Sequence, residues 1–184
     1  MVNENWDQIA EDLEKQELQA QGGVSSPQLY GQLLAIYLYQ NDLCNAKFLW
    51  KRIPGNIKTQ NPELGNIWAV GKAMWLRDAA EIHKTLNNTH WSDNVSSIIK
   101  ALKDRIKERG IRLIGHAYSS INADVMGSLL GINSTEAIAL AKEKDWQIDG
   151  TSIKPKQISQ ISPPLTSTEH QLHKLTSFVS FLEN

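Results

Sequence analysis

Five histidines are the residues of this chain best suited to metal or acid–base chemistry. They stand at positions 83, 90, 116, 170 and 173. A zinc site built on histidines needs a close pair, as in H-x-H or H-E-x-x-H, and the sequence contains neither pattern. His170 and His173 are three residues apart and could share a helix face, but no third ligand is evident beside them. We therefore expect no metal site.

The patterns for covalent catalysis and for phosphate binding are incomplete as well. No G-x-S-x-G sequence is present, and the run from Gly65 to Gly71 and Lys72 is one residue too long for a P-loop. Cys44 has no evident base partner, and the acidic residues form no pair that could divide acid and base roles. The sequence thus predicts a chain that is not an enzyme, with no catalytic residue and no cofactor.

The composition is that of a folded, nearly neutral protein. Its 184 residues include 19 Lys and Arg against 20 Asp and Glu, a formal net charge of −1, and 41% are hydrophobic. Dedicated nucleic-acid binders usually carry a clearly basic balance, so the charge argues against that class. The single Cys excludes a disulfide within the chain, and no basic start and apolar middle of a secretory leader is seen. We expect a protein of a reducing compartment without membrane contact.

Helical periodicity runs through residues 1–117, which we predict to form a helical-repeat domain. Residues 27–40 are apolar almost all round, which indicates a buried helix. Two stretches, 37–42 and 73–78, are similar at an offset of 36 residues, within the range of helical-hairpin repeats. A hairpin of this kind cannot bury its apolar face alone, so stacked neighbours would supply the core. An irregular helical bundle is the alternative.

A helix that begins at Pro62 carries a glycine in its interior. Helical spacing places Leu64, Trp68, Gly71 and Trp75 on one face of this helix. Glycine costs about 1 kcal/mol of helix propensity relative to alanine. We therefore expect another helix to approach Gly71 closely enough to require it.

Residues 118–156 predict a winged helix, because a short extended piece, two short helices and a hairpin follow one another. Gly131 is expected to close the first helix as a left-handed cap. Apolar residues alternate on both sides of an Asp-Gly pair at positions 149–150, which is typical of a hairpin turn. The predicted fold class is therefore mainly α: helical repeats, then a small winged helix with a β-hairpin.

A winged helix can read DNA or can pair with another protein. The second helix offers Ser134, Thr135, Glu136, Lys142, Glu143, Lys144 and Asp145. This set is charge-balanced and lacks arginine, whereas a groove reader should neutralise several phosphates. The hairpin instead leaves a sheet edge whose backbone groups can pair with a strand of another chain. The predicted partner interface at this winged-helix edge is Trp146, Ile148 and Ile153.

One helix holds the only concentration of positive charge. Its cationic residues are Lys100, Lys103, Arg105, Lys107, Arg109 and Arg112. One interpretation is contact with phosphate or with an acidic partner. The other is a solvated helix face whose charge is moderated by Asp104 and Glu108, and we favour it.

The end of the chain combines a linker with one more helix. Residues 157–167 are the predicted linker, because two consecutive prolines forbid a helix there. Residues 168–184 predict an amphipathic helix, and a helix of this length is marginal in water unless its stripe finds a surface. Its predicted partner interface is Leu172, Leu175, Phe178, Val179, Phe181 and Leu182. Periodicity alone leaves docking onto the chain's own repeats and bundling with other subunits equally open.

Seven stretches resemble the small PCI-domain subunit family of the COP-nine signalosome. They are residues 22–35 (with LYGQLLA at 29–35), 45–54 (NAKFLWKRIP), 63–68 (ELGNIW), 90–92 (HWS), 117–121 (AYSSI), 145–149 (DWQID) and 181–184 (FLEN). They follow the family's order and are spread over nearly the whole chain, which makes the resemblance specific.

The resemblance implies a PCI-type fold, a non-catalytic scaffold role and a cytoplasmic and nuclear location. Its winged helix would align with others through sheet edges, and its C-terminal helix would join a bundle shared with other subunits. The expected neighbour is subunit three, in a complex that removes a ubiquitin-like modifier from cullins and so regulates cullin-RING ubiquitin ligases. Small PCI subunits of the proteasome lid or of a translation initiation factor are alternatives, as is a winged-helix nucleic-acid-binding module.

Overall fold

The computed structural model describes residues 6–20, 23–156 and 168–182. Seven helices come first: α1 (Trp6–Gln19), α2 (Pro27–Gln40), α3 (Leu43–Arg52), α4 (Gly55–Gln60), α5 (Pro62–Leu76), α6 (Ala79–Asn88) and α7 (Asp93–Ala117). They are followed by β1 (Ile121–Asn122), α8 (Ala123–Leu130), α9 (Ser134–Glu143), β2 (Gln147–Asp149), β3 (Ser152–Lys154) and α10 (Thr168–Leu182). The predicted mainly α fold is confirmed. Sequence signals missed only the short α4, which lies between two prolines.

The first core is built around α2. This helix is apolar on nearly every side, and it packs against α1, α3, α5 and α7. Leu33, Leu34, Ile36 and Leu38 are fully buried there. Such a helix can be stable only when neighbours cover it all round, which explains why four helices surround it.

Gly71 lies where α5 crosses α2, as predicted. A Cβ at this position would lie 3.1 Å from Leu38 Cδ2 and 3.2 Å from Trp68 Cε3. Trp68 stacks on Trp50 of α3 with 5.6 Å between ring centroids. Trp75, at the end of the helix, is 49% exposed.

The similar stretches 37–42 and 73–78 form two turns of the same conformation. In each turn a left-handed residue, Asn41 (φ 64°) or Arg77 (φ 59°), ends the first helix. The aspartate that follows, Asp42 or Asp78, accepts a hydrogen bond from the backbone N–H three residues later and caps the next helix. The α2–α3 and α5–α6 pairs are therefore equivalent hairpins.

Polar contacts fasten α1 to the hairpin beside it. The Tyr37 hydroxyl donates to Glu14 at 2.7 Å, and Arg52 binds both carboxylate oxygens of Glu17 at 2.9 and 2.7 Å. Burial and the bond to Glu14 raise the pKa of the Tyr37 hydroxyl well above its usual value. The acidic character of α1 is thus partly used in packing.

The winged helix forms a second core. Its buried side chains are Ile114, Ile121, Ala123, Met126, Leu130, Ala137, Ala141, Trp146 and Ile153. The antiparallel sheet has the order β1-β3-β2, so β3 is central. Asp149 pairs with Ser152, which places the turn at Gly150 and Thr151, one residue later than the predicted Asp-Gly turn.

Helix α7 belongs to both cores. Its first half buries Val95 and Leu102 in the first core, and its last turns bring Ile111 and Ile114 to the second. The boundaries after residues 117 and 156 stay predictions, and the predicted linker 157–167 lies outside the described residues. None of the helices in the described ranges is long and apolar enough to cross a membrane.

Gly131 is expected to be the glycine that tolerates substitution least. It adopts φ 66°, and a Cβ there would collide with the His83 ring. Gly150 has a similar φ of 61° with open space around it. In urea denaturation, Gly150→Ala should lower the free energy of unfolding by about 1–2 kcal/mol from backbone strain alone. Gly131→Ala should lose about 1–3 kcal/mol more, and equal losses would contradict the collision.

Candidate assembly surfaces

Helix α10 presents an apolar face to solvent. All six predicted interface residues are exposed, from 51% for Val179 to 80% for Leu182. Two hydroxyls bond back to their own helix: Thr176 donates to the Leu172 carbonyl, and Ser177 donates to the His173 carbonyl. Because its six apolar side chains are exposed, this face is available to another helix. Its use as an interface stays a prediction.

The edge of the winged helix is narrower than the sequence suggested. Ile153 lies on the central strand, where it pairs with both Ile121 and Ile148. Trp146 and Ile153 are buried in the second core, so their side chains support the hairpin from within. Within the predicted set, only Ile148 is on an edge strand, and it is partly exposed. The backbone of β2 is thus the part of this edge that can pair with a strand of another chain. This pairing stays a prediction.

The second helix of the winged helix is well formed but weakly charged. A capping box joins Asn133 and Glu136 at the start of α9. Its cations, Lys142 and the following Lys144, lie at the far end from this cap. DNA-reading helices contact bases with their N-terminal residues, and here that end offers Glu136 instead of a cation.

The positive face of α7 is largely exposed, and two of its arginines also contact the end of α2. Arg105 donates to the Tyr39 hydroxyl at 3.2 Å and lies 4.8 Å from the centre of its ring. Arg109 donates to Asn41 Oδ1 at 2.6 Å. Burial lowers the pKa of Arg109, and the charges of Arg105 and Arg112 lower it further. Part of this face therefore fastens α7 to the end of α2, while Lys100, Arg105 and Arg112 stay exposed, in line with the favoured interpretation.

A basic groove of about 770 Å³ lies between α7 and the winged helix. Its lining residues are Arg105, Glu108, Ile111, Arg112, Lys144, Trp146 and Lys156. Sequence reasoning missed this groove, since Lys144 and Lys156 are more than thirty residues from the α7 arginines. The sequence shows the positive charge of α7, and only the packing of distant segments adds Lys144 and Lys156 to it.

His83 joins α6 to the winged helix. Its Nε2 lies 3.2 Å from the Leu129 carbonyl oxygen, so this nitrogen carries a hydrogen and donates. Burial lowers the pKa of the imidazole, the bond to Leu129 opposes that shift, and Lys103 and Lys107 reinforce it. The lowered pKa favours the neutral imidazole at the place where the two cores meet.

Comparison with known proteins agrees with this architecture. Residues 24–164 match the model of the CSN8/PSMD8/EIF3K family. The chain belongs to this family. It is 42% identical over 182 residues to the COP9 signalosome complex subunit 8 of Xenopus laevis, covering 98% of this chain and 93% of the relative. The Danio rerio subunit 8 is 39% identical over 186 residues, covering 100% and 97%, and that of Dictyostelium discoideum is 34% identical, covering 98% and 93%.

The family match ends within the predicted linker, whereas the relatives extend across nearly the whole chain. The part matched by the CSN8/PSMD8/EIF3K family therefore runs from before α2 to beyond β3. It leaves out α10 and also α1, which contributes Ala10 and Leu13 to the first core. The resemblance to the signalosome subunits is confirmed. Among the described residues, no group of three or more His, Cys, Asp or Glu side chains could hold a metal ion.

Stability is expected to fall on mild acidification because of His83. The unfolded chain binds this proton near the ordinary pKa of about 6.5, and the folded chain binds it only at lower pH. The free energy of unfolding should therefore decline as pH drops below that value. Urea denaturation at several pH values should show a shallower decline for His83→Gln. His116→Gln, at an exposed position, is the control, and equal slopes in both variants would contradict the assignment.

Proposed function

We propose that this chain is a non-catalytic scaffold subunit of the COP9 signalosome and enters the complex through α10. The observation that carries the proposal is the exposed apolar face of α10. Similarity over 98% of the chain to a COP9 signalosome subunit 8 supports the choice of complex over the proteasome lid and the initiation factor.

The energetics favour a partner for α10. The helix has 15 residues, a length at which isolated helices are marginal in water. Each of its large apolar side chains contributes roughly 1.5–3 kcal/mol when fully buried. That gain is absent while the six side chains face solvent, and helices of other subunits can supply it by bundling.

In this proposal the winged helix has a second, weaker role. The β2 edge pairs with a neighbouring subunit, which we expect to be subunit three, through backbone hydrogen bonds. Cullin deneddylation and the regulation of cullin-RING ligases then belong to the whole complex, and the bond-breaking groups reside on another subunit. The single, unpaired Cys44 suits the expected cytoplasmic and nuclear location.

A charge on the apolar face of α10 should block assembly. Phe178→Asp or Leu175→Asp would bury a carboxylate against apolar neighbours, which is strongly unfavourable. We expect at least about tenfold less of the variant to co-purify with tagged signalosome subunits, a loss near 1.4 kcal/mol. Removal of residues 168–184 should reduce co-purification similarly.

Ser177→Asp is the matched control, because it adds the same charge to the polar side of the same helix. Lys100→Asp tests a charge change on the exposed part of α7. Both should assemble like the unmodified chain, and far-UV circular dichroism should show that all variants fold. Co-purification of Phe178→Asp at the unmodified level would exclude α10 as the assembly element.

A further inference from the structure

The basic groove between α7 and the winged helix has an unbalanced charge. It is lined by four cationic side chains and by one carboxylate, that of Glu108. In the described parts of the chain, no ion pair involves any of these four cations. Arg105 binds only the neutral Tyr39 hydroxyl, which leaves its charge uncompensated.

The groove also has an apolar wall and a partly fixed shape. Ile111 and Trp146 line it, and both pack in the second core, so neither moves independently of the fold. The contact with Tyr39 holds the Arg105 guanidinium in place. A rigid, partly apolar groove with excess positive charge is suited to a ligand that combines carboxylates with an apolar side chain.

We propose that this groove binds a short acidic peptide segment of another protein. Carboxylates of the segment pair with Arg112, Lys144 and Lys156, and an apolar side chain of the segment lies against Ile111 and Trp146. This surface is separate from α10 and from the β2 edge. It gives the subunit a third contact, whose strength depends on salt.

Other occupants fit less well. The chain's own residues 157–167, which follow Lys156, contain no Asp or Glu and cannot neutralise the groove. A duplex DNA site commonly involves about six to ten phosphate contacts, and four cations beside a carboxylate supply fewer. Arginine binds carboxylates in a bidentate manner, which gives a short acidic segment enough strength from few contacts.

The test uses the purified full chain and a fluorescein-labelled peptide, EEELEEE, in a polarisation titration at about 50 mM salt, where surface charges are weakly screened. The peptide should bind, and its glutamine analogue QQQLQQQ should not. Arg112→Glu combined with Lys144→Glu should weaken binding about tenfold or more, because attraction becomes repulsion within the groove.

Lys51→Glu combined with Lys72→Glu is the matched control. It changes the net charge by the same amount at two exposed positions outside the groove, on α3 and α5. It should keep most of the affinity, which separates local pairing from long-range attraction. If the groove variant fails to fold by circular dichroism, Arg112→Gln with Lys144→Gln replaces it, with the same direction expected.

Four results would overturn the proposal. They are no binding of EEELEEE to the unmodified chain, equal losses in the groove and control variants, tighter binding of a duplex DNA than of the peptide, and a self-association that only the groove variant abolishes. The last two would identify nucleic acid or a second copy as the occupant. Phe178→Asp should bind the peptide normally, so failure of assembly through α10 is distinguishable from failure of the groove.

Discussion

The structure depends on α7, a single helix of 25 residues that completes two hydrophobic cores. A helix of that length spans more than one layer of packing, so residues early and late in it face different neighbours. Val95 and Leu102 close the helical repeats, and Ile114 closes the winged helix. Because the backbone between them is one continuous helix, the two cores have a fixed mutual orientation.

Contacts at the junction reinforce this arrangement at several points. Gly110 of α7 admits Leu130 so closely that a Cβ there would lie 2.7 Å from its Cδ2. Gly131 admits the His83 ring in the same way, from α6. Small residues thus let the winged helix pack tightly against the repeats, and a polar bond from His83 to Leu129 fixes the register.

A rigid body of this kind separates the functions of its surfaces. Among the described residues, the buried side chains are hydrophobic, and the hydroxyls of the buried Tyr30 and Tyr37 are hydrogen-bonded. The exterior keeps an apolar helix, a strand edge and a basic groove in different places. The apolar helix is stabilised when another apolar surface covers it. The strand edge has backbone groups that can pair with another strand, and the groove attracts negative charge. Surfaces of these three kinds are suited to a scaffold subunit, because each can be covered by a different partner.

Local signals in the sequence determined the elements. Proline at the first turn, aspartate caps such as Asp42 and the left-handed cap at Gly131 act within a few residues, so they are readable without the fold. The period of the apolar residues likewise identified the exposed stripe of α10, because no other element has to be known. The close approach of another helix at Gly71 could be inferred, because glycine inside a helix lowers helix stability unless packing requires it.

Only the tertiary structure decided which surfaces remain available. The sequence could not place Ile153 on the central strand, because the strand order depends on which hairpin strand pairs with β1. Nor could the sequence show that Trp75 is about half exposed, because its exposure depends on where α5 ends against its neighbours. The basic groove joins α7 to Lys144 and Lys156 through packing of distant segments. Periodicity reports the side on which a residue lies, whereas burial and charge density depend on what is packed against that side.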